Sequence, residues 1–179
     1  MQNFYVITGG PGVGKTALVT ELGKMGFKIV PEDARRIIEQ QVQSGGEGLP
    51  WKDRELYTQL MLDAAAESYK AAVNNEAQVV FFDRGILDAI GYARMIELGM
   101  TEEMTAFADP FRYNDKVFIL PPWFEIYETD DARKQTWEEA VFTYNNLKKI
   151  YQEYGYQLIE LPQDSVGRRV EIILDHIVF

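Results

Sequence analysis

The chain has 179 residues, 46% of them hydrophobic, which is enough for a sizeable core and too much for a disordered chain. Its 28 acidic and 18 basic side chains leave a net charge of −10, which argues against a nucleic-acid binder, because that function needs a basic face to neutralise phosphates. Cysteine is absent, so disulfides and thiolate metal centres are excluded; no apolar run approaches the roughly 18–20 residues of a membrane span, the N-terminus does not read as a signal peptide, and a soluble cytoplasmic protein is expected.

The first predicted element is a strand over 4–8 (FYVIT), followed at once by GGPGVGKT and a helix. Gly9, Gly14, Lys15 and Thr16 fill the pattern G-x-x-x-x-G-K-[ST], the phosphate-binding loop of nucleotide enzymes. Glycines let such a loop wrap an anion closely, and backbone N–H groups converge on it at a helix N-terminus. The residues expected to hold a nucleotide are Gly10, Gly12, Val13, Gly14, Lys15, Thr16 and Ala17. Lys15 would reach the β- and γ-phosphates, and the Thr16 hydroxyl would ligate Mg²⁺. Ala17, Leu18, Leu22 and Met25 give the following helix a core face, with Gly26 as its stop.

A second strand over 27–30 leads into PEDARR. Glu32 and Asp33 lie just past its end, and Asp33 suits either the N-cap of a helix over 34–43 or a second substrate ligand. On that helix Ala34, Ile37, Ile38 and Val42 share a face, and Arg36 is placed to hold a substrate anion. SGGEGLPWKD (44–53) is the one Gly-rich segment and is expected to be a mobile loop. A long helix over 52–74 carries Leu56, Leu60 and Ala64 on one face.

The third strand, 78–82, runs into Asp83 and Arg84. An acid at this end of a strand beside the phosphate-loop strand is the usual second anchor for Mg²⁺. The alternative is that Asp83 caps the helix starting at Gly85. Arg84 would grip a substrate anion or the transferring phosphate. A fourth strand over 115–120 precedes LPPWFEIYETDDARKQTW, where Trp123 and Phe124 read as packing aromatics. Arg133 and Lys134 fall in the first turn of a helix from Asp130, where the dipole opposes a cation. Trp137, Ala140, Val141, Tyr144, Leu147, Tyr151 and Tyr154 form the next stripe, then come a fifth strand at 156–161 and a last helix with Val166, Val170, Ile173, Leu174 and Ile177. The single histidine, His176, has no partner at metal-ligand spacing and is assigned no function.

Near-continuous apolar strands alternating with helices predict an α/β fold: a five-stranded parallel sheet covered by helices on both faces, in one domain over 1–179. Within the phosphate-loop proteins, a switch GTPase needs N-K-x-D, which is absent, and the only D-x-x-G, DSVG at 164–167, follows the last strand. A mechanical ATPase of the broad AAA type usually adds a helical domain for which 179 residues leave little room. A small-molecule kinase fits best in size.

GGPGVGKT, PEDARRIIEQQ, FFDRGILDAIGYAR and the region from VFILPPW to the C-terminus resemble a group of small AAA-type phosphate-loop proteins. That group includes the ribosylnicotinamide kinase domain of bacterial NAD-biosynthesis regulators and predicted ATPases of unassigned substrate. The resemblance implies binding of ATP with Mg²⁺ and phosphoryl transfer to a small hydroxylated acceptor, for example a nucleoside such as ribosylnicotinamide. By the same resemblance Glu32 would take the proton of the acceptor hydroxyl, and Arg133, in a lid over about 121–136, would clamp the ATP phosphates. A purely structural acid pair at Glu32 and Asp33, and a solvated charge cluster at Arg133, are the alternatives. The rival function is a regulatory ATPase that hydrolyses slowly and acts through a protein partner.

Overall fold

The structure is a computed structural model and describes residues 3–73, 78–98, 102–126 and 136–177. In chain order the elements are β1 (Phe4–Gly9), α1 (Lys15–Lys24), β2 (Lys28–Val30), α2 (Asp33–Ser44), α3 (Arg54–Val73), β3 (Val80–Asp83), α4 (Ile86–Met95), α5 (Glu102–Ala108), β4 (Lys116–Leu120), α6 (Trp137–Glu153), β5 (Gln157–Glu160) and α7 (Val166–His176). The five strands form one parallel sheet in the order β2-β3-β1-β4-β5. The α/β architecture expected from the sequence is the one observed. Among the described residues no helix is long and apolar enough to cross a membrane.

Alternation along each strand divides the apolar side chains between two faces. Phe4, Val6, Val80, Phe82 and Val117 pack under α3, α4 and α6, against residues such as Leu62, Ile90 and Tyr151. Tyr5, Ile7, Phe81, Phe118 and Leu120 face the other way, against Leu18 and Leu22 of α1 and Val170 and Ile173 of α7. With both faces covered, the three inner strands β3, β1 and β4 are almost entirely apolar and lack the polar–apolar alternation of a half-exposed sheet, whereas the edge strands β2 and β5 are only partly buried.

Three helix faces are narrower than their sequence stripes. α2 packs on α3 instead of on the sheet, so it buries Ile37 beside Tyr57 and Ala64 while Val42 is exposed. α3 turns Tyr57, Thr58, Leu62 and Tyr69 inward and leaves Leu56 exposed. Met25 lies past the end of α1 and is exposed, not part of its core face. The Gly-rich segment is tied down at Leu49, which is buried, and at Gly48, whose N–H donates to Gln41 Oε1 at 3.0 Å.

Two capping expectations are corrected. Asp33 is the first residue of α2, not its cap; the cap position is Glu32, which makes no side-chain cap bond. The Asp33 carboxylate instead accepts from Arg36 at 2.6 Å and from the Ser68 hydroxyl at 2.9 Å. At α4 the carboxylate that accepts the Gly85 N–H, at 2.9 Å, belongs to Asp88 and not to Asp83.

Strand register sets the site. Ile7 lies opposite Asp83, which brings that acid to the edge where β1 enters the phosphate loop. Val30 lies opposite Phe82, so two residues further on Glu32 and Arg84 emerge side by side. Gly9, opposite Leu120, has φ +148°, and a Cβ there would stand 2.9 Å from the Leu120 carbonyl oxygen, a backbone atom held in the sheet. Gly9→Ala should therefore destabilise the fold by about 1–3 kcal/mol. Urea unfolding measures this as a lower midpoint at unchanged slope; an unchanged midpoint would mean that the β1–β4 seam opens to admit the methyl group.

Candidate functional site

The loop between β1 and α1 carries the sequence motif in the expected strand–loop–helix setting. Gly14 caps α1 in the left-handed conformation, at φ +83°. The first turn of α1 has no acidic side chain, so nothing in it offsets the positive end of the helix dipole. Gly10 to Ala17 line one side of a cavity of about 650 Å³. The far side is formed by Glu32, Asp33, Arg35, Ser68, Arg84 and the rings of Tyr57 and Tyr92. The loop and the acids beyond β2 thus share one space at the carboxyl edge of the sheet, where open α/β sheets bind ligands.

Lys15 is the buried cation of this site, only 7% exposed. Its Nζ lies 2.9 Å from Asp83 Oδ1 and 3.7 Å from Glu32 Oε2. The contact with Asp83 is an ion pair without an aligned hydrogen bond, since Asp83 Oδ1 is buried and has no hydrogen-bond partner. Apart from that ammonium this oxygen has no partner, so exchanging the ammonium for a metal cation would leave no hydrogen bond broken, and Thr16, exposed at the start of α1 on the same cavity, offers a hydroxyl. Among the described residues no group of three or more His, Asp or Glu could hold a metal by itself. A cation here would draw its remaining ligands from phosphate oxygens and water, the habit of Mg²⁺.

Arg84 takes the left-handed conformation at φ +75°, which costs a non-glycine residue about 1–3 kcal/mol. Two acids hold it: Nε donates to Glu32 Oε1 at 2.8 Å and Nη1 to Asp88 Oδ1 at 3.0 Å. Asp88 is buried and also accepts from the Thr8 hydroxyl at 2.6 Å and the Tyr151 hydroxyl at 2.7 Å. With the Gly85 N–H, its two oxygens receive four donors, which fix the carboxylate in place.

The electrostatics follow from these contacts. Burial pushes the Glu32 carboxyl up, but Arg84 and Lys15 outweigh it and hold the group below the ordinary glutamate value. Glu32 is therefore ionised at neutral pH and able to accept a proton. Burial works against the Arg84 charge too, but Glu32, Asp88 and Asp83 more than restore it. Burial, helped by Tyr92 and Glu32, pushes the Tyr57 hydroxyl up to about 12, so it faces the cavity as a neutral group.

The other residues anticipated from sequence are placed as follows. Arg36 is half exposed, pairs with Asp33 and reaches Gln40; the arginine of α2 that lines the cavity is Arg35. Arg133 and Lys134 lie outside the described residues. Trp123 packs on the Arg169 guanidinium, 5.4 Å from its ring centroid, and Phe124 meets Trp137 edge-on. His176 Nδ1 contacts the Ile172 carbonyl, away from the cavity. Sequence reasoning missed Asp88, Arg35, Tyr57, Tyr92 and Arg169. Only Asp88 left a local signal, its i,i+4 spacing from Arg84 at the head of a helix.

A profile of the AAA domain family AAA_28 matches residues 4–169. No curated protein matches the chain in sequence. Among solved structures, deoxyadenosine kinase from M. mycoides with dCMP and dCDP superposes with a TM-score of 0.68 at 18% identity, covering 96% of this chain and 97% of that one. Thymidylate kinase from Ehrlichia chaffeensis gives 0.64 at 16% identity, with 96% and 97% covered. NadR in complex with NAD and AMP-PNP gives 0.63 at 20% identity, covering 97% of this chain and 48% of that longer one. At these identities the likeness is one of fold, and the fold is that of the phosphate-loop nucleoside and nucleotide kinases. The profile match spans most of the chain, and the protein belongs to this AAA domain family of small phosphate-loop proteins.

Proposed function

We propose that the protein is an ATP- and Mg²⁺-dependent phosphotransferase that moves the γ-phosphoryl group of ATP to the hydroxyl of a small acceptor, in the way nucleoside kinases do. The observation that carries this reading is the placement of Glu32. It is an ionised carboxylate on the same cavity as the phosphate loop, with Lys15 between it and Asp83. A carboxylate so placed can take a proton from an attacking water as well as from a hydroxyl, so the shape of the cavity wall decides between hydrolysis and transfer. Tyr57 and Tyr92 on the far wall suit a flat ring, which favours a nucleoside-like acceptor. The kinase-like fold supports the same class.

In this reading the loop amides and Lys15 bind the triphosphate. Thr16 and Asp83 would hold Mg²⁺, which when bound neutralises charge on the phosphate oxygens. Glu32 takes the acceptor's hydroxyl proton as its oxygen bonds to the γ-phosphorus and the bond to the ADP oxygen breaks. Arg84 keeps the Glu32 carboxylate oriented through its Nε contact, and Arg35 faces the same space. Most of the rate effect in such transfers comes from positioning and charge stabilisation, so the base has a supporting share.

Lys15→Ala and Thr16→Ala should each weaken productive MgATP binding; Thr16→Ala, at an exposed hydroxyl, should leave the unfolding midpoint nearly unchanged, whereas Lys15→Ala strips the buried Asp83 Oδ1 of its counter-charge and should lower it. Calorimetry with MgATP checks this, and wild-type affinity in both variants would reject the site. Asp83→Asn should raise the Mg²⁺ concentration needed for half-maximal activity and leave metal-free ATP binding close to wild type. The same metal titration as wild type would remove Asp83 from the metal site. Glu32→Gln should lower turnover on the true acceptor by up to about 10²-fold, the low end of general-base effects, with little loss of ATP affinity. The assay is ADP release from ATP with and without a panel of nucleosides. Release that no nucleoside stimulates would favour a slow regulatory ATPase.

A further inference from the structure

Arg169, in the first turn of α7, is only 4% exposed, although arginine is rarely buried without a counter-charge. Among the described residues it forms no ion pair, and its Nε is buried with no hydrogen-bond partner. One hydrogen bond does reach it from far along the chain: Nη1 donates to the Val13 carbonyl oxygen at 3.2 Å. The guanidinium also fills the space beside Gly14, where a Cβ would meet Nη1 at 3.1 Å and Nη2 at 3.2 Å. The Trp123 ring covers its other side.

The consequence for the loop follows from peptide geometry. The Val13–Gly14 peptide is planar and trans, so its C=O and N–H point in opposite directions. Fixing the Val13 carbonyl toward Arg169 turns the Gly14 N–H away from Arg169. Gly14 lines the cavity and Arg169 does not, so the amide is turned to the cavity side. Arg169 therefore sits behind the loop, in contact with it; Asp164 acts on its charge without closing an ion pair with it.

We propose that Arg169 is a positioning residue for the phosphate loop: its bond to Val13 aims the Gly14 amide at a bound polyphosphate, and its charge, tied up in no ion pair among the described residues, strengthens the anion site from behind. The proposal rests on the nucleotide reading above and adds a group that does not touch the ligand. It accounts for a buried arginine that would otherwise be a net cost to the fold, and for the absence of a side chain at Gly14.

Calorimetry on wild type, Arg169→Met and Arg169→Lys, with inorganic tripolyphosphate and with ATP as probes, tests it alongside thermal unfolding. A hydrogen bond from a charged donor is lost in Arg169→Met, so both probes should bind roughly tenfold more weakly. The loss should be the same for both, because the contact serves the phosphates and not the base. Arg169→Lys keeps the charge but not the planar fork, and should fall between Arg169→Met and wild type. A merely structural arginine would lower the unfolding temperature and leave both affinities within twofold of wild type, and that result overturns the proposal. If Arg169→Met fails to fold, Arg169→Lys decides alone: wild-type affinity for tripolyphosphate overturns the proposal, and a loss of threefold or more supports it. A wild-type protein that binds neither probe would overturn the nucleotide reading and this proposal together, whereas equal binding by wild type and variants would overturn this proposal alone.

Discussion

The site is organised around one buried ammonium group. Lys15 is brought into the sheet's carboxyl edge by a loop that has no freedom to leave, because its flanks are the central strand and the first helix. A buried cation is stable only when opposite charge is supplied close by. Without ligand that charge comes from Asp83 at the end of β3 and Glu32 just past β2. In the proposed function a triphosphate would bring its own negative charge to Lys15, and the same event would release both acids from the ammonium. Asp83 would then be free for a cation and Glu32 for a hydroxyl proton. Filling the loop and readying the acceptor side are in this account a single exchange of ion pairs.

That exchange works only if the acids stay in place once Lys15 turns to phosphate. Glu32 has a second partner in Arg84, and Arg84 has a second partner in Asp88. Asp88 is anchored by Thr8 from the central strand, Tyr151 from α6 and the Gly85 N–H of its own turn. The chain of contacts thus runs from the strand that feeds the phosphate loop, through Asp88 and Arg84, to Glu32. The left-handed backbone at Arg84 is the local cost of pointing that guanidinium at Glu32, and two charged hydrogen bonds offset it.

Much of this was legible in the sequence, and the reasons differ by element. The inner strands are legible because burial on both faces makes them almost entirely apolar, the edge strands β2 and β5 by their short apolar centres, and the glycine pattern marks the loop because close approach to an anion leaves no room for a side chain. Glu32, Asp83 and Arg84 were legible as residues just past strand ends. Their mutual contacts were not, because these depend on β2 pairing with β3 in one register. Val42 and Leu56 were misread because an apolar residue at helical spacing says which residues share a face, not how wide a face the neighbour covers. Asp33 was misread as a cap because its real partners, Arg36 and Ser68, include a side chain 35 residues away. Arg169 was invisible for the same reason: its bond to Val13 joins positions 156 residues apart.

If the cavity joins phosphate donor and hydroxyl acceptor in one reaction space, as proposed, the γ-phosphoryl group must pass from one to the other. The most direct test follows the γ-phosphate itself. ATP labelled at that position is incubated with the protein, Mg²⁺ and a mixture of nucleosides, and the products are separated. Phosphoryl transfer to a hydroxyl puts the label in an organic phosphate ester, and that is the expected result. Label found only in inorganic phosphate, in the presence of every acceptor offered, would contradict it.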